Sequence, residues 1–105
     1  MSAELPKSFE ELITNSSLPV LVDFYTDWCG PCKMVSPAIA KLAKEYKGEI
    51  ITVKVDTDKR PAVSGKYSIR SIPTIMLFDK GRELMRLQGA HSYQSLKAEL
   101  ERHIR

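Results

Sequence analysis

Cys29 and Cys32 stand three apart in the run Asp27-Trp28-Cys29-Gly30-Pro31-Cys32-Lys33, between an apolar stretch, Val20 to Tyr25, and a long helical pattern. A strand that delivers Cys29 to the first turn of a helix sets its sulfur among unpaired backbone N–H groups at the positive end of the helix dipole. Both favour thiolate over thiol. Two intervening residues in such a turn bring the second sulfur within bonding reach of the first, so the pair can close and open a disulfide. Pro31 loses nothing there, because its missing N–H would have had no partner, and Gly30 lacks a Cβ that could block an approaching chain. The competing readings are half of a zinc site and an inert core pair. Zinc takes about four ligands, there is no second Cys pair, and His91 and His103 are too far apart for the usual close His pair. Thiols at a helix start are rarely inert.

The elements that hold this turn are legible in the pattern. Ser8-Phe9-Glu10-Glu11 has the form of a capping box, and Phe9, Leu12 and Ile13 recur at helical spacing, which predicts a short first helix broken at Leu18-Pro19. Val20 to Tyr25 is too apolar to be half exposed and reads as a central strand covered on both faces. Asp23 is the odd residue within it: an unpaired charge there is costly, and desolvation raises its pKa. After the cysteines, Val35, Ile39, Leu42, Ala43 and Tyr46 trace one face of a helix expected to end at Gly48, with Pro37 kinking it. Residues 50–55 form the next strand, on which Lys54 points opposite to Ile51, Val53 and Val55. Asp58 can cap a short helix through about Tyr67. Residues 74–78 and 83–88 flank the turn Asp79-Lys80-Gly81-Arg82 as an antiparallel hairpin. Ser92 caps a final helix with Tyr93, Leu96, Leu100 and Ile104 as its buried stripe and Lys97, Glu101 and Arg105 as exposed charge pairs. Strands alternating with helices and closing in a hairpin give an α/β sandwich with a mixed sheet.

The 105 residues suit one domain, spanning residues 1–105, with no linker or repeat, large enough to bury roughly two thirds of its unfolded surface. Sixteen basic and thirteen acidic side chains leave a net charge of +3 with the signs interspersed, so no nucleic-acid or membrane patch is expected. No signal-peptide core or membrane-spanning stretch is visible. Two cysteines suit a reducing compartment, where a Cys pair is more often catalytic than structural.

The run Trp28-Cys29-Gly30-Pro31-Cys32-Lys33, with Val20-Leu21-Val22-Asp23-Phe24 before it and Ile72-Pro73-Thr74 after it, resembles the thioredoxin family. Lys54-Val55-Asp56, Lys66-Tyr67-Ser68-Ile69-Arg70, Phe78-Asp79-Lys80-Gly81 and Gln88-Gly89-Ala90 follow in the family's order and at its separations, so the likeness runs from about Phe9 to the end. It implies the thioredoxin fold, a central mixed sheet with helices on both faces. Thioredoxins usually begin with an apolar edge strand, and residues 1–6 supply few apolar residues and an early proline, so that first strand is expected to be short or missing.

The resemblance also implies a thiol–disulfide oxidoreductase that reduces disulfides in other proteins and is re-reduced by a thioredoxin reductase, a monomer with no metal or bound cofactor. Cys29, at the exposed helix start, attacks, and Cys32, one turn inside and covered, resolves the mixed disulfide. Asp23 accepts the proton of Cys32, with Lys54 as its partner; an ordinary exposed strand lysine is the other reading of Lys54. Pro73 could simply begin a strand, but the resemblance makes Ile72-Pro73 cis and faces it to the cysteines, leaving the Ile72 backbone free to pair with an extended substrate. Trp28, Gly30, Pro31, Ile72, Gly89 and Ala90 then form the contact surface around Pro73. Ser71 and Tyr25 stand where many thioredoxins have Gly and Trp. The expected location is the cytoplasm, or an organelle matrix or plastid stroma after loss of a transit peptide. The rival function is a thioredoxin-like binding module, a non-redox subunit of a larger complex.

Overall fold

The computed structural model describes residues 5–105. Its elements are α1 (Leu5–Asn15), β1 (Val20–Tyr25), α2 (Gly30–Glu45), β2 (Ile51–Asp56), α3 (Pro61–Lys66), β3 (Thr74–Asp79), β4 (Arg82–Gln88) and α4 (Tyr93–Ile104). The strands lie in the order β2-β1-β3-β4, with β1 parallel to β2 and antiparallel to β3, and β3 antiparallel to β4. The mixed sheet and its flanking helices are those expected. The question of an edge strand ahead of α1 concerns residues 1–4, which lie outside the described residues, while positions 5 and 6 are already helical.

Alternation along β1 sorts its residues between two cores. Val20, Val22 and Phe24 pack with Phe9, Ile13, Val55, Val63, Met76 and Phe78 under α1 and α3. Leu21 packs with Val35, Ile39, Leu42, Tyr46, Ile75, Leu77, Leu96 and Leu100 under α2 and α4. Because successive strand side chains point to opposite faces, Asp23 falls on the α2 face with Leu21. Its register partner on β2 is Lys54, which shares that face.

Four local expectations differ. Ser8 does not begin α1, which starts three residues earlier because Pro6 is compatible with a first helical turn. Asp58 does not cap α3: that helix starts at Pro61 behind Arg60, which makes no side-chain cap, and the loop ahead of it is held by Asp56, whose Oδ1 accepts from the backbone N–H of Asp58 at 2.9 Å. Helix α2 ends at Glu45, capped by the Tyr46 N–H on the Leu42 carbonyl, before the left-handed Gly48. Lys97 pairs with Glu45 of α2 and not within α4, whereas Arg105 reaches Glu101 at 3.8 Å. Ser92 does cap α4, accepting from the Ser95 N–H at 3.1 Å.

The hairpin is tighter than the sequence predicts. Lys80 and Gly81 alone connect β3 to β4, with φ of 54° and 83°, the pair of positive values a two-residue turn demands. The Gly81 N–H donates to the Ile13 carbonyl at 2.7 Å, and Lys80 Nζ donates to the Ser16 carbonyl at 3.0 Å, so the turn is fastened to the end of α1. A Cβ at Gly81 would lie 3.0 Å from Thr14 Oγ1. Gly81→Ala is therefore expected to lower stability by at least about 1 kcal/mol, from backbone strain and this contact together. A urea melt with an unchanged midpoint would refute that.

Candidate active site

Cys29 is the N-cap residue of α2, in extended conformation at φ −90° and ψ 111°, and its Sγ accepts the backbone N–H of Cys32 at 3.1 Å. This is the bond through which a helix start stabilises sulfur anion. Gly30 and Pro31 fill the first two helical positions, and the Pro31 ring fixes the turn that brings the Cα atoms of Cys29 and Cys32 to 5.3 Å, where the sulfurs are joined as a disulfide. Apart from its chain neighbours and the adjacent helix backbone, nothing among the described residues lies within 4 Å of the place a Gly30 Cβ would occupy, so the space above it is open to a partner.

One expectation about the cysteines fails in this oxidised form. Cys29 is not exposed: both residues are 4 % accessible. A segment 43 residues later comes over the disulfide, with Cys29 Sγ 3.9 Å from the Ile72 carbonyl oxygen. What separates the two is what they face. Cys29 faces the Ile72-Pro73 segment, and Cys32 lines a cavity of about 450 Å³ with Asp23, Tyr25, Thr26, Asp27, Lys33, Ser36 and Lys54.

Asp23 is 1 % exposed, and its Oδ1 has no hydrogen-bond partner among the described residues. Burial pushes its carboxyl from 3.8 to about 6, with the positive charge of Lys54 pulling the other way. Lys54 is close enough to act through space but forms no ion pair with Asp23 among the described residues. Its Nζ donates to Ser36 Oγ at 3.1 Å and lies 4.5 Å from the centre of the Tyr25 ring. The partnership read from the sequence is thus electrostatic across the cavity and not a contact.

The Ile72-Pro73 bond is cis, and Pro73 is buried beside the half-buried Ile72. The Gly89 N–H donates to the Pro73 carbonyl at 2.9 Å with Gly89 at φ 84°, which ties the Gly89-Ala90 loop to the proline and leaves Ala90 exposed. Trp28 is 71 % exposed, its ring fixed by a hydrogen bond from Nε1 to Asp58 Oδ2 at 2.8 Å. The structure therefore brings Trp28, Gly30, Pro31, Ile72, Pro73, Gly89 and Ala90 into the segments around the disulfide.

Four residues escaped the sequence reading. Asp58 fits a helix cap by its local pattern, but it anchors the indole. Met34, 75 % exposed, is a second bare large apolar side chain near the cysteines in sequence. Thr26 is buried at the cavity wall, its hydroxyl without a partner among the described residues. Ser36 follows Cys32 by four residues, a spacing that puts both on one helix face and could have revealed it.

A sequence model of the Thioredoxin family matches residues 2–102. The chain is 44% identical over 97 residues to Thioredoxin 1 of Nostoc sp., an alignment covering 92% of this chain and 91% of that one. It is 43% identical over 96 residues to Thioredoxin 1 of Chlorobaculum tepidum, covering 91% and 95%. Spinach (Spinacia oleracea) thioredoxin M-type, chloroplastic, is 41% identical over 97 residues, 92% of this chain and 54% of that protein. With a joined Cys29-Gly30-Pro31-Cys32 turn at the head of α2 and a mixed four-stranded sheet behind it, the chain belongs to the thioredoxin family and is a thiol–disulfide oxidoreductase.

Proposed function

We propose that this protein works chiefly as a reductant of disulfides in other proteins, with Cys29 as nucleophile, Cys32 as resolving thiol and Asp23 as the base that serves Cys32. In the reduced form the Cys29 thiolate attacks one sulfur of a substrate disulfide. A mixed disulfide forms and one substrate thiolate leaves, taking up a proton from solvent. Asp23 then accepts the proton of Cys32 as that sulfur attacks Cys29, releasing the second substrate thiolate and leaving the Cys29–Cys32 disulfide. Two electrons pass to the substrate, and a thioredoxin reductase returns them. The observation that carries the assignment is the difference in surroundings: Cys29 Sγ lies against the Ile72-Pro73 segment, where a substrate strand docks, and Cys32 lies in the cavity with the Asp23 carboxyl, whose Oδ1 has no partner among the described residues.

The exposed face of Trp28, the open space over Gly30, Pro31 and the Ile72, Pro73, Gly89 and Ala90 segments would receive the substrate, with the Ile72 backbone pairing to an extended chain. The protein acts as a monomeric single domain in a reducing compartment, cytoplasm or plastid stroma, without nucleic acid or membrane. The test is reduction of insulin disulfides by the prereduced protein, followed by turbidity as the freed B chain precipitates. Stoichiometric reduction, made catalytic by dithiothreitol, is expected. Turbidity no faster than with dithiothreitol alone would overturn the reading.

A further inference from the structure

Lys54 and Asp23 are register neighbours on one face of the sheet, yet among the described residues their side chains form no ion pair. Its Nζ is held from the other wall of the cavity, by Ser36 Oγ of α2 at 3.1 Å, and rests 4.5 Å from the Tyr25 ring centre. Both contacts leave the side chain exposed at the cavity surface, so the ammonium keeps much of its hydration. A lysine has much rotamer freedom to lose on being fixed in one place. Without a tether it would swing into water, since entering the cavity would strip its solvent.

We propose that Ser36 is a positioning residue that holds the Lys54 ammonium at the mouth of the Asp23 cavity. The hydroxyl acts through Lys54 and touches no reacting atom. Its effect is to keep one positive charge fixed within electrostatic reach of Asp23, so that the carboxyl is moderated against the burial that raises it. The other groups facing this cavity are Tyr25 and Asp27 from the end of β1 and its loop, and Cys32 and Lys33 from α2. β3 presents Ile75, the apolar register partner of Asp23. Asp27 and Lys33 are exposed and of opposite sign, and neither replaces a tethered cation.

The inference rests on the reading of Asp23 as the base of the resolving step, and its test separates the two. Carbon-13 carboxyl resonances of Asp23 are titrated in the oxidised full chain for the parent, Ser36→Ala, Ser36→Thr, Lys54→Gln and the Ser36→Ala/Lys54→Gln pair. Ser36→Ala is expected to move the Asp23 midpoint upward by on the order of half a pH unit, the size of a partly screened charge a few ångströms away. Ser36→Thr restores it, Lys54→Gln moves it at least as far, and Ser36→Ala adds nothing on the Lys54→Gln background. A midpoint that stays put in Ser36→Ala, moves downward, or still shifts when Lys54 is already glutamine overturns the proposal. The pH profile of insulin reduction is measured in parallel. If the Asp23 titration behaves as expected and the rate profile does not follow it, the positioning by Ser36 stands and the assignment of Asp23 as base falls.

Discussion

Cys29→Ser is expected to lose disulfide-reducing activity by at least ~10³-fold, while Cys32→Ser keeps the first attack and stops at the mixed disulfide. The asymmetry follows from the surroundings of the two sulfurs and not from their exposure, which is equal. Cys29 accepts the Cys32 N–H and lies 3.9 Å from the Ile72 carbonyl; Cys32 is turned to the cavity. Reduced Cys32→Ser, mixed with oxidised insulin and quenched with acid, should show by mass spectrometry an insulin adduct bound through Cys29. Prereduced parent treated with limiting iodoacetamide near neutral pH should be alkylated at Cys29 first. Trapped chains on Cys32 in Cys29→Ser, or first alkylation at Cys32, would reverse the roles.

The second large effect concerns stability. The Asp23 carboxyl ionises at about 6 in the folded chain against 3.8 for an unhindered aspartate, so the folded state holds its proton more tightly than the unfolded one. Such a group contributes stability that is full below pH 3.8 and is lost as pH rises through about 6. The difference of pKa corresponds to about 3 kcal/mol, the ceiling of what ionised Asp23 costs the oxidised protein at pH 8. Asp23→Asn removes that dependence. Its stability relative to the parent is expected to climb between pH 4 and pH 7 and then level off, while the resolving step slows by ~10²-fold for want of a base. Guanidinium melts of the oxidised forms at several pH values measure the first, and rapid-quench kinetics the second. Parallel stability curves for parent and variant would mean that Asp23 ionises alike in both states.

Comparison of particular residues shows which physical signals reach the sequence. Val20 to Tyr25 was bounded correctly because a strand buried on both faces is a continuous apolar run, and Asp23 stood out as its single interruption. The cysteine turn was legible because its chemistry is local: N-cap, proline and spacing lie within four residues. The burial of Cys29 was not, since it depends on a segment 43 residues away folding over a closed disulfide. Asp58 was assigned to the wrong partner for a similar reason: its local pattern fits a helix cap, but the indole of Trp28 competes for it across the site. Ser36 is not legible as a site residue because its partner, Lys54, lies 18 residues away on another element. At the start of α1 a capping-box pattern lost to a proline that suits an earlier first turn.

The alternation along β1 sets a rule for which changes of length the molecule can survive. Leu21 faces α2 and Val22 faces α1, so inserting or deleting one residue ahead of Asp23 while the strand keeps its end pairing would carry the carboxylate to the side of Phe9 and Phe78 and put an aliphatic side chain beneath Cys32. The fold's apolar content would hardly change, and the chain could still collapse, but the Asp23 carboxylate would no longer share a cavity with Cys32. Length variation among descendants of this sequence should therefore be concentrated in connections such as residues 57–60, and β1 should tolerate substitution far better than any shift of frame between its two ends.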